Sequence, residues 1–173
     1  MSLLRGLPPA IGDGMRVLVL GSMPGEASLR QQQYYGHPRN RFWPLMEALF
    51  GVDAGLPYPQ RIAALHAAGV GLWDVLGACV RRGSLDSAIE RDSEIANPIA
   101  ALCARSPGLR AIALNGGKAA QAFARHVEPQ LDAALARRLS IHRLPSTSPA
   151  NASYALAQLQ AAWSAVTAAR SGE

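Results

Sequence analysis

Cysteine is scarce in these 173 residues: Cys79 and Cys103 stand alone, in neither a C-x-x-C nor a C-x-x-H pattern. That excludes a four-cysteine zinc or iron–sulfur cage within one chain. It suits a reducing, cytoplasmic compartment. Lysine is scarcer still. Lys118 is the only one among 17 basic residues, so a Schiff-base mechanism would have to use it or the α-amino group. No apolar run approaches the ~18 residues of a membrane span. The opening MSLLRGLPPAIGDGMR has no sustained apolar core of the kind a secretory leader carries. Two nucleotide-binding signatures are also missing. GxGxxG does not occur, and Gly116-Gly117-Lys118 lacks both the earlier spaced glycine and the following Ser/Thr of a Walker A loop. Ser22 stands second in GSMPG rather than third, so it does not meet the GxSxG nucleophile elbow.

What is present describes one globular domain over residues 1–173. Its length fits a single unit of roughly 100–200 residues, and its composition is 49% hydrophobic and 17% charged. Residues 1–15, rich in Gly and Pro, read as an irregular lead-in. Four short runs read as strands, the first continuously apolar and hence buried: Arg16–Ser22, Val70–Leu76, Arg110–Asn115 and Ser140–Leu144. Helical patterns separate them at Arg41–Phe50, Gln60–Ala68, Pro98–Ala104, Lys118–Arg125 and 129–138, and Ser153–Ala169 closes the chain. Asn97 is a candidate N-cap for the helix from Pro98. Residues 23–40 read as a long loop. Alternating strands and helices predict an α/β fold with a parallel sheet between helical layers. Ligands in such folds bind beyond the carboxyl ends of the strands. The unusual polar segments all fall there: Ser22–Gly25, Asp74, Asn115–Gly117 and Leu144–Ala150.

The net charge is +5, compatible with a phosphate-backbone partner or with an arginine-rich surface. Tyr34, Tyr35, Phe42 and Trp43 are four of ten aromatics, and Arg30, Arg39 and Arg41 interleave with them. That mixture suits a flat ring attached to phosphates, although Phe42 and Trp43 also fit a helix core. Asn40 fits two jobs, a cap for the helix that follows or a water ligand through its amide oxygen. His37, between Gly36 and Pro38, is a loop residue that could act as a base. Asp74 ends an apolar run and needs a partner or a purpose there. It could read a ring N–H, donate if its pKa is raised, or pair with Arg81 or Arg82.

Together GSMPG, YYGHPRNRFW, LWDVL, LNGGKA and LPSTSPANA, in that order, resemble the uracil-DNA glycosylase superfamily. They are most similar to its hypoxanthine (deoxyinosine) branch. The resemblance implies a three-layer α/β/α sandwich on a four-stranded parallel sheet. It also implies a monofunctional enzyme that extrudes a deaminated base, hydrolyses its N-glycosidic bond and leaves an abasic site, without metal or cofactor. GSMPG falls where relatives activate water, but its third residue, Met23, is apolar and cannot bind one. The branch's equivalent is then Asn40, the expected catalytic residue. Ser22, Met23, Pro24, Gly25, Tyr35, Phe42 and Asp74 are expected around the base. Tyr35 or Phe42 would stack on it, and Asp74 would read its edge with backbone N–H groups of Ser22–Gly25. Arg39, Arg41, Arg81 and Arg82 are expected on phosphates, with Ser146, Thr147 and Ser148 in the loop that enters the minor groove. The expected partner is duplex DNA met by a monomer. A lesion-binding protein without cleavage, and a small-molecule nucleoside hydrolase, are the competing readings.

Overall fold

The computed structural model of the chain describes residues 2–171. Met1, Gly172 and Glu173, the ends of the expected domain, lie outside them. The central sheet is built from β2 (Val17–Gly21), β3 (Val70–Asp74), β6 (Ala111–Asn115) and β7 (Ser140–Leu144), in the order β3-β2-β6-β7 and all parallel. β2, β3 and β6 are buried at every position. Strands covered on both faces have no polar side to show, hence runs such as VLVLG rather than an alternation. Leu18 and Leu20 enter a core with Leu114, Ile99 and Phe123 on one face. Val17 and Val19 enter the other with Phe42, Leu45, Met46, Leu159 and Trp163. The helices supplying these layers are α2 (Phe42–Phe50), α3 (Tyr58–Ala67), α4 (Ile99–Ala104), α5 (Gly117–His126), α6 (Ala133–Arg138) and α7 (Leu156–Trp163). The α/β/α sandwich is therefore the observed architecture.

Several local expectations change. The run from Val70 to Leu76 is not one strand. The chain leaves the parallel sheet at Asp74, and Val75 N–H donates to Gly21 O over 2.9 Å. Leu76–Cys79 then becomes β4, centre of a three-stranded antiparallel sheet with β1 (Leu4–Arg5) and β5 (Ile95–Ala96). Both sheets bury this stretch, so hydropathy alone cannot show the transfer. The N-terminal lead-in is consequently tied down: β1 pairs with β4, and Ala10 exchanges backbone bonds with Leu72. The expected 23–40 loop contains α1 (Glu26–Gln31). The expected 129–138 helix is a 3-10 turn at Glu128–Gln130, then α6, capped by Asp132 onto Leu135 N–H over 2.8 Å. The closing helix ends at Trp163 and continues as 3-10 turns. Asn97 does not cap α4. Its Nδ2 donates to Asp74 O over 2.8 Å, and the cap position falls on Pro98.

Strand register levels the functional rim. Gly21 pairs with Asp74, and Asn115 with Leu144. The last residues of all four strands thus end along one edge of the sheet.

Candidate active site

Above that edge opens a cleft of about 700 Å³. Its walls are residues 21–28, the Tyr34–Asn40 loop, the Ser84–Ser87 segment and the Pro145–Asn151 loop with Tyr154; Asp74 and Asn115 lie between them.

The floor is a tight group of three residues. Asp74 is only 4% exposed. Its Oδ1 lies so close over Gly21 that a Cβ there would meet it at 2.5 Å. That close approach is why the strand ends in glycine. Its Oδ2 is buried without a hydrogen-bond partner. Burial pushes the Asp74 carboxyl up to about 7; Asp86 adds to the rise and Arg81 opposes it. Near neutral pH the group therefore exists as both donor-bearing acid and acceptor-only carboxylate. The hydroxyl of Tyr35 reaches the same spot, 3.3 Å from the place of a Gly21 Cβ, and it too is buried without a hydrogen-bond partner. Burial raises the phenol's pKa, with the Asp74 charge second, so Tyr35 stays a neutral donor.

Tyr35 sits at φ +56°, a left-handed conformation that costs a non-glycine residue of order 1 kcal/mol or more. Its surroundings hold it there. Its ring stacks on Phe42 with centroids 4.0 Å apart and planes 18° from parallel. The preceding Tyr34 donates its hydroxyl to Pro8 O (2.7 Å) and its N–H to the Tyr58 hydroxyl (3.0 Å), while its carbonyl accepts from Trp43 Nε1 (3.1 Å). Phe42 is fully buried and does not line the cleft. The expectation that it stacks on a ligand is corrected: it backs Tyr35, which is the aromatic on the cleft. Trp43 is a core residue.

The loop after β2 presents backbone rather than side chains. Met23 joins the core cluster with Leu18, Leu20 and Trp73, so its thioether is spent on packing. Pro24 has no N–H, which leaves Ser22, Met23 and Gly25 as the segment's backbone donors. The Ser22 hydroxyl donates to Asp86 Oδ1 over 2.6 Å, and Glu26 N–H donates to Ser84 Oγ over 2.9 Å. Two hydrogen bonds thus moor the Ser84–Ser87 segment over this loop.

Asn40 lines the cleft, and its Oδ1 accepts Phe42 N–H at 2.9 Å. The cap position of α2 falls on Arg41, so the expected cap role is corrected: Asn40 closes a turn just ahead of the helix, and the same oxygen keeps a second lone pair. His37 lines the cleft as well. Its Nδ1 accepts Arg39 N–H at 3.1 Å, which places the neutral ring's proton on Nε2.

The arginines divide. Arg39 and Arg82 are exposed. Arg41 is not available for phosphate: its guanidinium donates to the carbonyls of Tyr154, Asn151 (2.8 Å) and Ser148 (3.4 Å). Arg81 is buried, donating to Gly83 O and Pro24 O at 2.7 Å each. Both are struts that hold cleft loops, and the phosphate expectation is corrected for them. Thr147 is likewise fully buried. Its N–H donates to Asn115 Oδ1 (3.0 Å) and its Oγ1 accepts from Asn115 Nδ2 (3.1 Å), which locks the loop to the end of β6. Gly116, at φ +101°, makes room for Ser146, whose Cβ would lie 3.0 Å from any Cβ added there. Ser146 and Ser148 accept the N–H groups of Ser148 (3.1 Å) and Ala150 (3.2 Å), and both remain on the cleft wall.

Asn115, Arg143, Asp86 and Tyr154 line the cleft but were not among the expected site residues. Asn115 carried a readable signal, a polar residue ending an apolar strand just as Asp74 does. The other three depend on loop paths that no local pattern encodes. Among the described residues no group of three or more His, Cys, Asp or Glu could hold a metal ion. No helix among them is long and apolar enough to cross a membrane.

A family model described as the uracil DNA glycosylase superfamily matches residues 8–167. The chain is 41% identical over 118 residues to a protein named hypoxanthine DNA glycosylase from Methanosarcina barkeri (strain Fusaro / DSM 804), covering 68% of this chain and 73% of that one. A protein of the same name from Methanosarcina acetivorans matches with equal identity and coverage. A solution NMR structure from M. acetivorans, provisionally assigned as a uracil DNA glycosylase, superposes with a TM-score of 0.76 at 31% identity. That match covers 95% of this chain and 99% of the other.

Proposed function

The chain belongs to the uracil DNA glycosylase superfamily, and from that premise we propose that this DNA repair glycosylase removes hypoxanthine from duplex DNA. It would act as a monomer in the cytoplasm and leave an abasic site. The observation that carries the base assignment is the pair of buried, unpartnered polar atoms on the floor, Asp74 Oδ2 and the Tyr35 hydroxyl. Buried polar atoms want partners, and an extruded base would supply them. A deaminated base presents a ring N–H beside a carbonyl. The neutral Asp74 carboxyl matches that edge with an O–H and a C=O, and Tyr35 adds a donor. The 41% identity to proteins named hypoxanthine DNA glycosylase supports the purine over uracil.

Glycosidic cleavage builds positive charge on the sugar and negative charge on the departing base. Backbone donors of Ser22–Gly25 and the hydroxyl of Tyr35 face the base. The DNA phosphates themselves favour the cationic sugar. Asn40 orients the attacking water through its amide; it positions and does not deprotonate. Tyr35 meets the base through its hydroxyl, with Phe42 packed behind its ring. Arg39, Ser146 and Ser148 are offered to phosphate, contacts that position the duplex without reading sequence.

The test uses duplexes carrying one deoxyinosine or one deoxyuridine, incubated with protein and then treated with alkali. Strand breakage only after alkali, fastest for deoxyinosine, is expected. Asn40→Ala should lower excision by orders of magnitude at nearly unchanged DNA affinity; unchanged excision would remove Asn40 from the mechanism. Binding without cleavage of either duplex would mark a lesion reader, and cleavage of free nucleoside alone a nucleoside hydrolase.

A further inference from the structure

Extruding a base leaves a gap in the duplex, and enzymes that bend or open DNA commonly fill such gaps with a bulky side chain. The Pro145–Asn151 loop has none to offer. Its residues are Pro, Ser, Thr and Ala with one Asn, and Thr147 is turned into the protein. We propose that Tyr154 is the wedge: its ring enters the duplex and takes the place of the extruded base. This rests on the excision reading above.

Four observations converge on Tyr154. It is one of few large hydrophobic side chains left exposed, and it stands on the cleft wall. It stacks on no other aromatic ring among the described residues, so its faces remain open to bases. Its backbone is held firm. Arg41 grips the carbonyls of Tyr154, Asn151 and Ser148, Tyr154 N–H donates to Asn151 O, and Asn151 Nδ2 donates to Ser146 O over 2.9 Å. Arg41 also directly follows Asn40. One guanidinium thus fixes the distance between the water-positioning residue and the wedge, so the ring would enter the duplex where the sugar meets the water. Finally, Tyr154 has only the uncharged Ser153 and Ala155 beside it. The other exposed apolar side chain on the cleft, Leu85, is followed by the Asp86 carboxylate, which phosphates would repel.

Excision is measured under single turnover on deoxyinosine in a fully paired duplex and in an unpaired bubble of the same sequence. A 2-aminopurine next to the lesion reports unstacking. Tyr154→Ala should slow excision from the paired duplex by roughly tenfold or more, the scale of losing a stacked ring. It should spare the bubble and blunt the 2-aminopurine signal. Tyr154→Phe and Tyr154→Trp should keep the paired-duplex rate, because the ring and not the hydroxyl does the work. Leu85→Ala should behave as wild type. The proposal is overturned if Tyr154→Ala slows both substrates equally, or if the loss specific to paired DNA follows Leu85→Ala instead. Wild-type protein silent on both substrates would overturn the excision reading, and the wedge with it.

Discussion

Asp74→Asn replaces a carboxyl by an amide of the same shape that never ionises. In the folded chain burial pushes the Asp74 carboxyl up to about 7, against about 3.9 for a free Asp. Between those two pH values the unfolded chain has released a proton that the folded chain still holds. The native state binds more protons, so stability falls as pH rises through this window. The contribution is complete below about pH 4 and gone above about pH 7. Each unit of displacement is worth about 1.4 kcal/mol, so the wild type forfeits up to about 4 kcal/mol between acid and neutral pH. The amide forfeits nothing there. Asp74→Asn should therefore be the more stable protein at pH 8, with Tm higher by about 10 °C for a chain of this size, and the two should converge near pH 4. Thermal melts from pH 4 to pH 8 check this. Excision carries a second signature. If the neutral carboxyl reads the base, wild-type excision declines as pH rises through 7, while the slower Asp74→Asn enzyme keeps a flat profile. Parallel Tm curves for the two proteins would refute the buried-charge argument. Parallel rate profiles would refute the reading by the neutral acid.

Gly21→Ala should keep the fold, since the added carbon meets the far end of a side chain, but should displace Asp74 and slow deoxyinosine excision in the excision assay. Arg41→Ala should slow excision and raise protease sensitivity within residues 148–154, while the slope of log affinity against log salt stays as in wild type. Arg39→Ala should lower that slope by about one, because each phosphate contact releases about one counterion. Phe42→Ala should destabilise the protein by about 3–5 kcal/mol, as emptying a fully buried aromatic site does. It should also weaken excision by releasing Tyr35 from its left-handed backbone. Denaturant melts and the excision assay check it.

The inner strands of the central sheet were legible because a strand covered on both faces must be apolar, and VLVL and AIAL are; β7, SIHRL, is only partly buried and was read from its place after a helical stretch. The polar rim was legible because the same rule makes Asp74 an anomaly at the end of its strand. Asn40 looked equally like a cap or a site residue; the cap position fell one residue later, on Arg41, while Asn40 lines the cleft. The arginines could not be read this way. Arg39 and Arg41 are alike in sequence, two residues apart, yet one is exposed and the other spans three carbonyls more than a hundred residues away. That difference is set by the fold of a distant loop. The small antiparallel sheet was hidden for a related reason. β1 and β4 are short and pair across more than 70 residues, and neither has a periodicity that a local window can detect. Phe42 was misjudged because an aromatic beside arginines looks the same whether it touches a ligand or supports the residue that does.

The chain passes from one sheet to the other within a single residue, Val75. β4 begins two peptide bonds after Asp74 and is itself held by the opening strand, Leu4–Arg5. The start of the polypeptide is thus in mechanical series with the residue on the cleft floor, although more than 60 positions separate them. A fusion partner or trimmed beginning that peels β1 away would slacken β4 and let the Asp74 carboxyl drift from its seat over Gly21. Preparations differing only in their first few residues would then differ both in excision and in melting temperature.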